Sequence, residues 1–254
     1  MNKNVIISNI VKQAYLKKEG HIPSSLSILD ILLVLYRDIL DLDSIRNEAE
    51  DRDRFVLSKG HASLGLYAIL NEFNLLNEPL ENFADTTSLL GGHPTDKLKH
   101  VEASTGSLGH GFPMAVGMAL GYKIRGFKKK VYCLIGDGEA NEGTVWESAL
   151  LASYHKLDNL VCIMDHNHSG DRALIIDNVR KKFGAFSWDC AEVDGHDQAD
   201  LKRALRIEEK NFPRFILAQT VKGKGIPMME NNPEWHHKFP ANEEELNKIL
   251  GELK

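Results

Sequence analysis

In "VYCLIGDGEANEG", residues 131–143, an apolar run stops at Asp137, an acid held between two glycines, with Glu139 and Glu142 close behind it. Asn167 follows a second apolar run, Leu160–Asp165, thirty positions after Asp137. One carboxylate and one amide oxygen carry too little charge for a high-affinity calcium cage. They suit magnesium, which keeps octahedral oxygen coordination and completes it with water and ligand phosphates. Gly136 and Gly138 permit a tight turn and a close approach of phosphate, and the helix that follows can offer N–H groups to it. The pair points to a magnesium diphosphate, in which the ion offsets the repulsion between carboxylate and phosphate. Gly-Asp-Gly taken alone reads as a β-turn whose Asp bonds its own backbone; a second ligand at a matching strand end decides for the metal.

Both ligands must therefore stand at strand ends. Val131–Ile135, a helical segment from about Glu142 to His155, and Leu160–Asp165 make a strand–helix–strand crossover, which leaves the strands parallel with their carboxyl ends on one side. Open parallel sheets bind ligands along that edge. "RFVLSKGHASLGLYAIL" reads as a short strand, a glycine turn and a helix, and "FILAQT", residues 215–220, as a strand after an "EVDGHD" turn. Ser24 or Ser25 is expected to cap an amphipathic helix reaching about Leu40. Residues 107–122 read as a helix rich in small residues, in which Gly117 and Gly121 either admit another backbone or serve internal packing. The expected fold class is α/β, a parallel sheet sandwiched by helices. No Pro/Ser-rich linker or low-complexity block divides residues 1–254, so one domain is expected.

With 43% hydrophobic residues and a formal charge of −5, the chain carries no broad positive footprint for nucleic acid or an anionic membrane. The runs Lys128–Lys130 and Arg180–Lys182 read as solvated turns. "LSILDILLVLY", residues 26–36, is too short to cross a bilayer and contains Asp30. The amino terminus lacks a signal-peptide apolar region, so a cytoplasmic protein is expected. Three cysteines, without framework spacing, fit reduced thiols, with Cys133 and Cys162 in packing positions.

"GDGEANEGTVWESALLASYHKLDNLVCIMDHN" resembles the thiamine-diphosphate signature in the form used by transketolases. "GHIPSSLSILDILL", "DRFVLSKGHASLGLYAIL", "GGHP", "EASTGSLGHG" and "TVKGKG…EWHHKFP" resemble further transketolase motifs, in the same order. The resemblance spans nearly the whole chain and corresponds to the amino-terminal, diphosphate-binding portion of the family, most closely the N-terminal subunit of two-chain transketolases. It implies the thiamine-diphosphate-binding fold, with thiamine diphosphate and Mg²⁺ as cofactors. By the same resemblance Asp137, Asn167 and the backbone carbonyl of Ser169 match the metal ligands. His61 matches a histidine near the diphosphate, while Gly138 and Glu139 lie beside the cofactor and Gly106, Ser107 and Leu108 against its ring system. Glu142 resembles an acid that links paired active sites across the interface between subunits; first-turn helix stabilisation is its structural alternative.

His21, His93 and His236 match the family's substrate-side histidines, which hydrogen-bond sugar hydroxyls or shuttle protons near neutral pH, His236 also serving the cofactor. His237, His166, His168 and His110 read as loop or packing residues. None of these histidines has the helical or Cys-paired spacing of a zinc site. The implied activity is transfer of a two-carbon ketol unit from a ketose, expected to be phosphorylated, to an aldose. In the family a glutamate on the second domain activates the cofactor, and this sequence does not reach that domain. A C-terminal partner subunit is therefore expected to supply it with most of the substrate-phosphate contacts, in a heterotetramer of two copies of each chain. Two departures stand out: "IPSS" after His21 in place of the usual Pro-Gly-Gly, and "HSGDRA" after Asn167. The α-subunit of a two-chain 2-oxoacid decarboxylase or dehydrogenase shares the metal motif but not "KGHAS", "TGSLG" or "EWHH"; a non-catalytic cofactor-binding subunit would not need all three substrate-side histidines.

Overall fold

A computed structural model describes residues 2–206 and 211–253. Helix α1 (Lys3–Lys17) is capped by Asn2, whose side chain accepts from Asn4 N, and closed by Lys18 in the left-handed conformation at φ 54°. Helices α2 (Ile22–Ser27) and α3 (Leu29–Val34) follow, and α3 runs on into a π-turn over Leu35–Ile39. The expected single helix capped by Ser24 or Ser25 is thus corrected. Pro23 sits in the first turn of α2, and both serines lie buried inside it. The serine side chains serve packing between elements: Ser25 Oγ accepts from Gly65 N at 3.1 Å. A short α4 (Leu42–Arg46) leads to β1 (Arg54–Leu57), α5 (Ser63–Glu72) and α6 (Gly111–Arg125). Then come β2 (Val131–Gly136), α7 (Gly143–Tyr154), β3 (Leu160–His166), α8 (Val179–Ala185), β4 (Asp189–Asp194), α9 (Gln198–Leu205), β5 (Arg214–Gln219) and α10 (Glu243–Glu252).

The five strands form one sheet in the order β1-β2-β3-β5-β4, with every neighbouring pair parallel. All six residues of β2 are buried, as both-face burial of a central parallel strand requires. Side chains alternate between two apolar layers. Tyr132, Leu134, Ile163 and Ile216 pack with α1, α2, α3 and α5, whereas Val131, Cys133, Ile135, Cys162 and Met164 pack with α6 and α7. Cys133 and Cys162 are free, buried and opposite each other in the β2–β3 register, the packing role expected of them. Strand β4 lies where the sequence suggests only a turn. Its sequence, DCAEVD, is polar because an edge strand has one neighbour and leaves Glu192 and Asp194 exposed. The turn expected over "EVDGHD" begins only at Gly195.

Helix α6 starts at Gly111, later than expected. A Cβ on Gly117 or Gly121 would meet nothing within 4 Å, so internal packing does not explain these glycines. No helix among the described residues is long and apolar enough to cross a membrane.

Past the strand ends, the loops after β2 and β3 touch: a Cβ on Gly170 would lie 2.7 Å from both Cα and N of Gly138. Gly170→Ala should force backbone apart and cost about 1–3 kcal/mol, lowering the melting temperature by several degrees. A thermal melt indistinguishable from wild type would contradict the close approach.

Candidate active site

Four loops meet at the carboxyl edge of the sheet: Lys59–His61 after β1, Asp137–Glu139 after β2, Asn167–Gly170 after β3, and Thr220–Lys222 after β5. They enclose a cavity of about 390 Å³ whose walls include His21, His61, Gly106, Leu108, Asp137 and Asn167.

The framework beneath the cavity is built on Asp165, a residue with no signal in the sequence to single it out. Its carboxylate is fully buried and pairs with the equally buried Lys59 ammonium. Ser27 Oγ donates to it at 2.7 Å, Asn167 Nδ2 at 2.8 Å, and Thr220 Oγ1 donates to its other oxygen. Burial opposes ionisation of Asp165, but Lys59 and these hydroxyls hold its carboxyl below the ordinary range. The consequence reaches Asn167. Because the amide nitrogen is committed to Asp165, the amide oxygen turns to the other side, where it accepts from Ser169 N at 3.0 Å and keeps a second lone pair.

Asp137 is treated differently. Its Oδ1 accepts from Gly138 N at 2.7 Å, which is the local turn bond, while Oδ2 is buried without a partner. Ser169 Oγ, Asn141 Oδ1 and Ser24 Oγ are likewise buried and unpartnered, and all four residues line the same cavity. Such orphaned oxygens are costly unless something else satisfies them. Burial, reinforced by the charge of Asp165, pushes the Asp137 carboxyl above its usual range. Oxygen donors of this kind fit a hard cation carrying phosphate. Among the described residues no group of three or more His, Cys, Asp or Glu is placed to hold a metal ion by itself. An ion at Asp137 would complete its shell from Asn, Ser, water and phosphate oxygens.

Histidines form the opposite wall. The ring of His21 lies 5.2 Å from that of His61, 5.6 Å from His236 and 4.5 Å from His237, centroid to centroid. Its Nδ1 is 3.1 Å from the carbonyl oxygen of His236. Burial lowers His21 to about 4. Burial also lowers His61, helped by Lys59, and His236, helped by Lys222. At neutral pH these imidazoles are uncharged, able to donate at one nitrogen and accept at the other. His237, a loop or packing residue by its sequence, packs on His21, and its Nε2 lies 3.2 Å from Glu19 Oε1.

Other expected residues sit less directly. His93 is exposed, with its ring against Gly106, where a Cβ would come within 3.0 Å of His93 Cδ2. Ser107 is exposed and does not border the cavity, although Gly106 and Leu108 do. Glu139 borders it but is 1% exposed, and its oxygens accept from Ser58 Oγ, Gly109 N at 2.9 Å and Gly136 N at 3.2 Å. It ties three loops together and uses its acceptors there. Glu142 is exposed at the N-cap of α7 and makes no capping bond, so only its charge can act on the helix start. Sequence reasoning missed Lys222, although it stands in the "TVKGKG" motif: its Nζ is 3.1 Å from His236 Nδ1. Burial, with Lys59 nearby, lowers it to about 8. A lysine just beyond a strand end was the available signal.

A five-stranded parallel sheet with Asp137 and Asn167 at adjacent strand ends has the architecture of a thiamine-diphosphate-binding domain. The family model described as "Transketolase, thiamine diphosphate binding domain" matches residues 4–252, and the chain belongs to that family. It is 38% identical over 243 residues to one of the subunits of apulose-4-phosphate transketolase from Phocaeicola vulgatus, covering 92% of this chain and 86% of that protein. The protein of the same name from Actinobacillus succinogenes is 40% identical over 243 residues, with 92% and 88% covered. Among solved structures, transketolase from Campylobacter jejuni superposes with a TM-score of 0.84 at 31% identity, over 98% of this chain and 41% of that one. The chain thus spans about two fifths of the length of that solved transketolase.

Two outcomes follow from the charges. Lys59→Met strands the Asp165 carboxylate and should cost about 3–5 kcal/mol, read by denaturant unfolding; a loss below about 1 kcal/mol would show that Asp165 does not depend on Lys59. Asp137→Asn keeps the Gly138 bond and removes a carboxyl whose folded pKa is raised. A raised acid contributes its full stability below the ordinary carboxylate pKa and loses it as pH climbs through the folded value. The variant should therefore melt higher than wild type at pH 7 in the absence of ligands, and the gap should close as pH falls below the ordinary carboxylate pKa. A variant that melts lower at pH 7 would be the contrary result.

Proposed function

We propose that residues 1–254 form a single diphosphate-binding domain acting as the N-terminal subunit of a two-chain, cytoplasmic transketolase. Such an enzyme moves a two-carbon ketol unit from a phosphorylated ketose to an aldose. The near full-length correspondence with proteins that are themselves named as single subunits supports a partner chain, and their shared name favours a ketose phosphate such as apulose 4-phosphate as a substrate. The partner supplies the glutamate that activates the cofactor, in a heterotetramer of two copies of each chain.

The reading is carried by the unpartnered Oδ2 of Asp137 beside the loop that presents Asn167 and Ser169. Asp137, Asn167 and the Ser169 carbonyl would hold Mg²⁺, and His61, His236 and Gly138 would border the diphosphate. Gly106 and Leu108, which line the cavity, would lie against the ring system, with Ser107 contributing backbone and Glu139 bracing the loops around it. When bound, thiamine diphosphate supplies the nucleophilic carbon and the electron sink for breaking a ketose carbon–carbon bond. His21 and His236, neutral at working pH, would hold sugar hydroxyls and pass a proton between oxygen atoms; His93 would act from the rim. Glu142, exposed at the start of α7, would meet the second copy of the site across the interface between subunits.

The deciding experiment purifies the chain with its partner and offers a panel of ketoses. Aldehyde release should require both chains, thiamine diphosphate and a divalent cation. Asp137→Ala should reduce cofactor binding, measured by calorimetry, at least a hundredfold, an expectation of about 3 kcal/mol for losing a charged ligand to the ion. Turnover of 2-oxoacids alone would overturn ketol transfer, and full activity of this chain without a partner would overturn the two-chain assignment.

A further inference from the structure

A second cavity of about 320 Å³ opens beside the first and shares Asn167, Ser169, Lys222 and His236 with it. Its other walls include Arg172 and Asn231. No carboxylate lines it. Arg172 falls in the "HSGDRA" segment that departs from the family pattern, and nothing in the site as described above uses it.

Charge pairing distinguishes this arginine from most of the others. Arg52 and Arg54 share Glu102, Arg180 meets Glu192, and Arg214 meets Asp189. Arg172 has no carboxylate partner and no side-chain hydrogen bond among the described residues. The neighbouring acid Asp171 is engaged with His168, its Oδ2 lying 2.9 Å from His168 Nδ1. Across the cavity the Lys222 ammonium meets only an imidazole, since the carboxylate it could have used, Asp165, is bound to Lys59. On the Lys222 side the wall is held together by Asn231 N, which donates to Lys222 O at 2.8 Å. Two cations, one planar fork and one point charge, thus face an acid-free pocket that continues into the cofactor cavity. That is the donor set for phosphate oxygens, which Arg meets bidentately. Burial first, then Lys59, lower Lys222 to about 8; Asp165 and Asp137 act the other way, and Arg172, further down, adds to the lowering.

We propose that Arg172 and Lys222 form a phosphoryl subsite contributed by this chain, taking the phosphate group of a molecule seated in the adjoining cavity. The proposal rests on the functional reading above and deepens it. The phosphate can come from the sugar ester or from the end of the cofactor's diphosphate, and one variant separates the two. In the complex of this chain with its partner, Arg172→Gln should raise KM about tenfold for a phosphorylated ketose while leaving the unphosphorylated ketose and the affinity for thiamine diphosphate unchanged, if the sugar is the source. An affinity for thiamine diphosphate weakened about tenfold, with the ratio of the two KM values unchanged, assigns the subsite to the cofactor. Arg172→Lys, which keeps the charge but not the fork, should recover part of either loss. No change in any of these, or an equal rise in both KM values at unchanged cofactor affinity, overturns the proposal. Inorganic phosphate titrated into the full chain alone, followed by the histidine ring resonances, reads the subsite without catalysis. Phosphate should bind about tenfold more weakly to Arg172→Gln, and equal binding overturns the subsite even if ketol transfer stands. Conversely, a wild-type complex inactive on every ketose refutes the functional reading while this titration still tests the subsite.

Discussion

The organisation of this edge of the sheet depends on one buried ion pair, Lys59 with Asp165. Removing two charges from water is expensive, and a buried pair is often worth no more to stability than apolar residues of the same size. Here it fixes directions. Asp165 gathers donors from Ser27 in α2, Lys59 after β1, Thr220 after β5 and Asn167 after its own strand. An apolar replacement could fill the space, but it could not turn the Asn167 amide oxygen away from the core or hold these segments to one point.

Above that point, charges are kept unbalanced. Asp137 has one oxygen satisfied by the turn and one left over, in a setting whose burial resists its ionisation. The histidines facing it are held neutral by burial, and Lys222 is pulled below its usual range by burial and by Lys59. In the absence of ligand each of these groups costs stability. Under the proposed function, a divalent cation with a phosphorylated ligand would satisfy them together, the cation meeting Asp137 and the phosphates meeting Lys222. Stability given up in the free chain would thus become affinity for that ligand, with the cost spread over several loops.

Glycines make the geometry possible at only a few places. Gly138 and Gly170 bring two loop backbones into contact, and Gly60 approaches Thr105 so closely that a Cβ would lie 2.8 Å from its backbone. Glu139 then braces the arrangement from inside by accepting from Gly136 and Gly109. The glycines Gly117 and Gly121 of α6 have no such internal duty, and they sit on a helix in contact with α7, where Leu150, Leu151 and Tyr154 are also exposed.

Much of this was legible in the sequence because it is local. The apolar runs of β2 and β3 with a helix between them dictate a parallel pair, and that parallel direction places Asp137 and Asn167 at the same edge. Strand β4 was not legible, since an edge strand can be as polar as a loop and only its pairing with β5 defines it. The break between α2 and α3 was hidden because serines that look like caps are used inside the fold, Ser25 against α5 and Ser27 against Asp165. Asp165 itself resembled one more residue of an apolar strand, and Lys59 an ordinary lysine of a turn. Their importance comes from contacts across 106 positions of sequence, and that separation has no periodicity to read. The sequence by itself determined which residue types stand at the strand ends, because strand and turn propensities act over a few neighbours. Only the tertiary structure decided which oxygens are satisfied and which are left open, because hydrogen-bond satisfaction is settled between loops that meet only when the sheet has formed.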